Sequence, residues 1–397
     1  MRRPSLFAGP IGRLAAALFL FGFGQELWFR YLPTYLRALG GSALIVGLFG
    51  TVKDSLDAAY AYPGGVLSDR LGPRRALLLF GLLATAGLCV YLFWTTPAGV
   101  FAGLLIVMAW PSLGLPATFA MVGDELPDGR RVAGFTVQAV VKRVPIVLAP
   151  PLGGFLLEKM GARDGMRAGF AASIVLSVGA LLLLRHSFRA AIPRQRPRER
   201  EKPAPSRPLP HALRRLLVAD CLVRLCEGLP AVFLVLWAIE RVGVSPTQFG
   251  ILISVMTVAA IASYLPGTVF AERTGKKFFV LLTYLFFALF PLAVLFSRSF
   301  AHLAGAYVLG GLREIGEPAR KALIVDLADS RSVGRTVGLY YAIRGFAVAG
   351  ASAVGGFLWT IEPSWTFLAA AGLGFLGTVW AALFLPRTAG SSDTARS

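Results

Sequence analysis

The stretch Pro63-Gly64-Gly65-Val66-Leu67-Ser68-Asp69-Arg70-Leu71-Gly72-Pro73-Arg74-Arg75 has a second copy half a chain later, Pro266-Gly267-Thr268-Val269-Phe270-Ala271-Glu272-Arg273-Thr274-Gly275-Lys276-Lys277. Pro-Gly, an acid, an Arg, a Gly and two basic residues recur in the same order, and each copy closes a long apolar run. A repeat on this scale restricts the chain to two similar halves, each built from the same kind of helical unit.

The halves are too apolar for a soluble protein. Of 397 residues, 56% are hydrophobic and only 15% charged, where a soluble domain carries about 25% charged residues. Mean hydropathy is +0.66. Apolar runs of roughly 20 residues recur, long enough to cross ~30 Å of hydrocarbon as helices. They are continuously apolar, not alternating, which excludes a β-barrel. The fold class expected is an all-α polytopic membrane protein with twelve transmembrane helices in two pseudo-symmetric six-helix bundles.

The net charge of +19 would point to nucleic acid in a soluble chain. Here the excess lies between spans, as the positive-inside rule requires. Arg2, Arg3 and Arg13 precede the first span, Arg70, Arg74 and Arg75 follow the second, and ten Lys or Arg fall between Arg185 and Arg215. Loops on the other side carry few. Both termini are therefore expected in the cytoplasm, with the chain in the plasma (inner) membrane. The N-terminal apolar run continues through Trp28 and Tyr35 and reads as a first span, not a cleavable signal. Cys89, Cys221 and Cys226 fall inside spans and make no metal-ligand or disulfide pattern.

Spans are read at about 11–36, 43–66, 76–95, 100–123, 132–157, 167–185, 212–240, 247–270, 278–297, 301–325, 333–360 and 365–386. The Pro- and Arg-rich segment from Ile192 to Pro203 cannot bury a core. This gives an N-terminal bundle over 1–185, a cytoplasmic linker over 186–211 and a C-terminal bundle with a short tail over 212–397. Further matches support the duplication. Gly114, Pro116, Ala117 and Asp124 align with Gly316, Pro318, Ala319 and Asp326, and Gly153-Gly154-Phe155-Leu156 aligns with Gly355-Gly356-Phe357-Leu358.

On these residues the chain resembles the major facilitator superfamily over essentially its whole length. The run from Gly65 to Arg75 is similar to that family's cytoplasmic loop signature between helices 2 and 3, with Pro73 as a departure. The resemblance implies a conformational latch formed by Gly65, Asp69, Arg70, Gly72, Arg74 and Asp124, with Glu272, Arg273 and Gly275 as its counterpart. Ala149-Pro150-Pro151-Leu152-Gly153-Gly154 resembles an element of the family's antiporters, with Ala149 in place of its Gly. An Arg early in helix 4, another antiporter feature, is missing: Trp110-Pro111 occupies that region.

Charge inside the spans carries the mechanism. Spans 3, 4, 6, 8, 9 and 12 have essentially none in their cores, and the resemblance implies that helices 3, 6, 9 and 12 face lipid while the others line a central cavity. A charge at mid-bilayer costs ~2.5–3.5 kcal/mol, so the remaining groups must meet one another or water. Glu26 and Arg30, Lys53 and Asp57, Asp220 and Arg224, and Arg313 and Glu317 stand at i,i+4, one helix face apart. Either such pairs only neutralise each other, or one acid loses its partner during transport and takes up a proton. Candidate proton-coupling acids are Glu26, Glu227, Asp57 and Glu317. Glu26 and Glu227 lead, because the family's first helices in each half line the cavity.

Candidate substrate-cavity residues are Arg30, Lys53, Lys142, Arg143, Arg224, Arg313, Glu314 and Arg344. Lys142, Arg143 and Arg344 have no acid at i±3 or i±4, and Lys142 aligns with Arg344 in the repeat. They suit an anionic or zwitterionic substrate, or cross-helix partners among Asp54, Asp57, Glu314 and Glu317.

The function expected is secondary active transport of a small molecule by alternating access, coupled to protons, with antiport favoured. Proton symport or facilitated import of organic anions is the alternative, and a non-transporting membrane receptor of the same fold is the other class. No Walker-type phosphate loop is present. No enzyme activity, metal or cofactor beyond a proton gradient is expected. Nor is any nucleic-acid partner, and the chain is expected to act as a monomer in the lipid bilayer.

Overall fold

The computed structural model describes residues 10–113, 131–187, 209–328 and 333–385. Its packing falls into two units, Met1–Gly41 with Lys53–Ala204, and Ser42–Val52 with Pro205–Ser397. Every regular element among the described residues is helical.

In the first unit, α1 (Pro10–Glu26) stops short of a 3-10 turn at Phe29–Tyr31, and α2 (Leu32–Ala38) resumes the span. Pro33 sits in the first turn of α2, where its missing N–H would have had no helical partner anyway. α3 (Ala43–Leu71) and α4 (Pro73–Phe93) are separated by Gly72 at φ 81°, a conformation cheap only for glycine. α5 (Pro97–Val107) is capped by Thr96, whose hydroxyl accepts from the Gly99 N–H at 3.2 Å, and runs into a π-turn at Ala109–Leu113. α6 (Arg131–Ser187) is two spans joined at Gly161, φ 80°. α1 and α4 both pack on α6, with Phe21, Phe80, Trp110 and Leu184 in the shared core.

The second unit contains α7 (His211–Gly228), then α8 (Leu234–Leu236) leading into a π-turn at Trp237–Val242, α9 (Pro246–Thr274) and α10 (Lys276–Leu295). α11 (Phe300–Leu312), α12 (Glu317–Asp326), α13 (Val333–Val348), α14 (Ala351–Ile361) and α15 (Pro363–Phe384) follow. Gly275 between α9 and α10 has φ 98°, so the repeated loop glycine turns the chain in both copies. α15 packs on α7 and α10, and α9 on α11.

These elements supply all or part of twelve spans, and among the described residues six helical stretches are long and apolar enough to cross a membrane. The twelve-helix, all-α expectation holds. Large exposed apolar side chains on α4 (Phe93), α6 (Val175, Leu182), α10 (Phe278, Phe296) and α15 (Leu376, Leu383) suit contact with acyl chains.

Spans 1, 7, 10 and 11 differ from the continuous helices read in the sequence: each is interrupted. In spans 1 and 7 the same close approach recurs at the break. A Cβ built on Gly153 would lie 1.8 Å from the Leu27 carbonyl oxygen, and one on Gly355 would lie 2.1 Å from that of Leu229. Gly153 and Gly355, like Leu27 and Leu229, are repeat partners. Each glycine thus lets a neighbouring helix approach the backbone where the first span of its half breaks. Span 10 breaks at Arg313–Gly316, where the Gly316 N–H donates to Thr283 Oγ1 at 2.8 Å. A Cβ on Gly316 would lie 2.1 Å from the Phe279 carbonyl oxygen.

The segment Ser42–Val52 at the start of α3 packs within the second unit. Its Thr51 Oγ1 accepts from the Ala353 N–H at 2.9 Å in the first turn of α14. A Cβ on Gly47 would meet the Ser352 carbonyl oxygen at 2.6 Å.

Candidate functional site

The breaks in spans 7, 10 and 11 gather the charge of the second unit into one linked set. Asp220 and Arg224 lie on α7, about two turns and one turn before its end at Glu227-Gly228. Arg313 and Glu314 occupy the break of span 10, Glu317 and Arg320 open α12, and Tyr340 and Arg344 lie on α13.

Asp220 is the hub. Its Oδ2 accepts from Arg320 Nη1 at 2.7 Å, Tyr340 Oη at 3.0 Å and Arg344 Nη1 at 3.2 Å. The Asp220 side chain is 0% exposed and that of Arg320 2%. Arg224 joins the remaining acids: its Nη1 donates to Glu227 Oε2 at 2.7 Å, and its Nη2 to Glu317 Oε2 at 3.4 Å. Its Nε is 4.0 Å from Asp220 Oδ1. Arg320 forks onto Glu317, Nε to Oε2 at 2.9 Å and Nη2 to Oε1 at 2.6 Å, the bidentate geometry that makes guanidinium–carboxylate pairs strong. Arg313 Nη2 lies 3.2 Å from Glu227 Oε1. Aromatic rings floor the cations: Arg224 and Arg313 lie 5.2 and 4.9 Å from the Phe287 centroid, and Arg344 4.5 Å from that of Tyr341.

In the first unit the charges are fewer and more local. Arg30 Nε donates to Glu26 Oε2 at 3.0 Å, just before and after the break of span 1. Lys53 Nζ pairs with Asp54 Oδ1 at 2.6 Å and stands over the Phe29 ring. Asp57 accepts a 2.5 Å hydrogen bond from Ser112 Oγ. Lys142 is exposed near the start of the described side chains of α6, and Arg143 follows it.

Two expected i,i+4 pairs do not form. Lys53 turns to the adjacent Asp54, leaving Asp57 to Ser112. Arg313 and Glu317 flank a stretch that is not helical, so the spacing no longer stacks them; Arg313 goes to Glu227 and Glu317 to Arg320. Of the cross-helix partners considered for Arg344, none is used: it pairs with Asp220. Asp220, Arg320 and Tyr340 were not read as site residues. The available signal was the density of charge in span 10 together with an Asp on span 7.

Of the expected latch, Gly65 lies in α3, Arg70 ends α3, Gly72 forms the turn and Arg74 opens α4. Asp124 lies outside the described residues, as do the side chains of Asp69, Glu272 and Arg273. In the second copy Lys276 forms an ion pair with Asp326, the repeat partner of Asp124.

The family model described as Major Facilitator Superfamily matches residues 14–223 and again 216–397. An uncharacterized MFS-type transporter of Methanocaldococcus jannaschii is 21% identical over 372 residues, covering 88% of each chain. Among solved structures, the nucleoside transporter NupG superposes with a TM-score of 0.78 at 13% identity, over 95% of this chain and 100% of that one. The peptide transporter POT does so with a TM-score of 0.73 at 18% identity, over 94% and 93%. The duplicated loop, the two helical units and the interrupted, charge-bearing spans thus coincide with a match over both halves: this chain belongs to the major facilitator superfamily and is a membrane transporter of that type.

Proposed function

We propose that the chain is a proton-coupled secondary transporter of a small molecule, working by alternating access in a plasma membrane with both termini cytoplasmic. The observation that carries the coupling is Asp57. Glu26, Glu227 and Glu317 each hold at least one arginine, so neutralising any of them breaks an ion pair. Asp57 shares its helix with Lys53 and Asp54, which pair with each other; its own partner is a serine hydroxyl, and no cation is paired to it among the described residues. A proton arriving there breaks no ion pair, and intramembrane acids of this kind mark proton routes. The arginine-rich set of the second unit, with its partly accessible guanidiniums, is the ground for substrate recognition.

Antiport is the direction that the Ala149–Gly154 element supports. The experiment is flux into proteoliposomes under an imposed pH gradient, with a panel of anionic, zwitterionic and cationic compounds. Coupling requires at least one compound whose flux follows the gradient, its sign separating antiport from symport. Transport that ignores the gradient for every compound carried would overturn the reading.

A further inference from the structure

We infer that Arg313 and Arg344 receive the carboxylate of a monoanionic substrate with an apolar body. This rests on the transport reading and names its substrate class. The linked set on α7, α12, α13 and the span-10 break holds four guanidiniums, Arg224, Arg313, Arg320 and Arg344, against three carboxylates, Asp220, Glu227 and Glu317. Glu314, in the break itself, makes no ion pair among the described residues, and Lys321 at the rim adds a further cation near Glu317. Among the groups joined by ion pairs, guanidiniums therefore outnumber carboxylates by one, and Glu314 is held by none of them. Away from bulk water an unmatched ion is costly, and a single negative charge from outside completes the set.

Two arginines are placed to receive it. Arg320 is buried and spends its fork on Glu317, and Arg224 reaches all three carboxylates. Arg313 and Arg344 are 17% and 21% exposed and each has a single carboxylate partner, at 3.2 Å in both cases. An arginine presents five N–H donors, so most of the donors on these two are open to an incoming anion. The contact from Arg344 to Asp220 is 0.5 Å longer than the 2.7 Å one from Arg320. Asp220 therefore stays neutralised by Arg320 when Arg344 turns to a substrate carboxylate. The partly exposed Tyr341 beneath Arg344 offers a ring face for an apolar body, while the buried Phe287 and Phe290 hold Arg313 from below, and the planar fork of arginine fits a carboxylate bidentately.

The test is binding by the purified full chain in lipid nanodiscs, followed by thermal stabilisation. The probes are benzoate, its neutral isostere benzamide, the cation benzylamine, the smaller carboxylate acetate, and sulfate. Benzoate is expected to stabilise saturably, acetate more weakly, and benzamide and benzylamine not at all. Arg313→Gln and Arg344→Gln are expected to lose about tenfold or more in benzoate affinity. Should either fail to fold, Arg313→Lys or Arg344→Lys keeps the charge for Glu227 or Asp220 without the fork and is expected to bind about tenfold more weakly. Benzoate and benzamide binding alike, benzylamine binding more tightly, sulfate displacing benzoate at equal concentration, or unchanged affinity in the variants would each overturn the inference. Flux measurements separate the two readings: carboxylate binding without flux of any compound sinks transport and leaves the site. Gradient-driven flux with no preference for carboxylates does the reverse.

Discussion

Arg320 donates to Asp220 Oδ2 at 2.7 Å inside the second unit, and both side chains are out of contact with solvent. The pair comes from two spans, α7 and α12, and Tyr340 of α13 donates to the same oxygen. Three helices of the C-terminal half are thus tied at one atom.

Removing Arg320 takes the forked partner from Glu317 and the shortest partner from Asp220, and removing Asp220 leaves Arg344 without its carboxylate; either change breaks buried ion pairs, a loss of about 3–5 kcal/mol. Arg320→Leu and Asp220→Leu are each expected to lower the thermal unfolding midpoint steeply, measured in detergent or nanodiscs. The double variant is expected to lose less than the sum of the single losses, because the Asp220–Arg320 contact is removed only once. Strictly additive losses would show that the pair is not coupled.

The glycines at the helix breaks admit no side chain. With a Cβ placed 1.8 Å from the Leu27 oxygen in Gly153→Ala and 2.1 Å from the Leu229 oxygen in Gly355→Ala, the backbone itself must move. Overpacking against backbone costs about 1–3 kcal/mol or more, so both variants are expected to give poor yields of folded protein. Gly372→Ala in α15, where an added Cβ meets open space, should behave as the parent does in the same size-exclusion assay.

Thr51 supplies the acceptor for a first-turn N–H of α14. Thr51→Val keeps the shape and removes that acceptor, with an expected cost of about 1 kcal/mol. Faster hydrogen exchange at Ala353 and its neighbours in α14 would report the loss, and unchanged exchange there would contradict it.

Much of this was legible from residues alone. Long apolar runs set the span count, and a nearly constant repeat offset pairs Gly153 with Gly355. The repeat paired the loop glycines Gly72 and Gly275, though not the positive φ that both adopt. The interruptions were hidden because they fall within longer, largely apolar stretches, and the glycine that meets each break at Leu27 and Leu229 lies more than 120 residues away in the chain. Ion-pair partners followed from helical spacing only where the stretch was helical or nearly so, as for Glu26 and Arg30. The rule failed at Arg313 and Glu317 because the intervening turn takes them off a common face. It failed at Asp57 because a competing donor, Ser112, arrives from another span. Asp220 and Arg320 lie 100 residues apart, and no local periodicity connects them.

The coupling claim turns on Asp57, and the most direct measurement is proton movement itself. A pH dye trapped in proteoliposomes reports protons when a transported compound is added, while labelled compound reports equilibrium exchange in the same vesicles. Asp57→Asn is expected to retain exchange and to lose the substrate-dependent proton signal. A variant that carries protons with its substrate as fully as the parent would contradict the account.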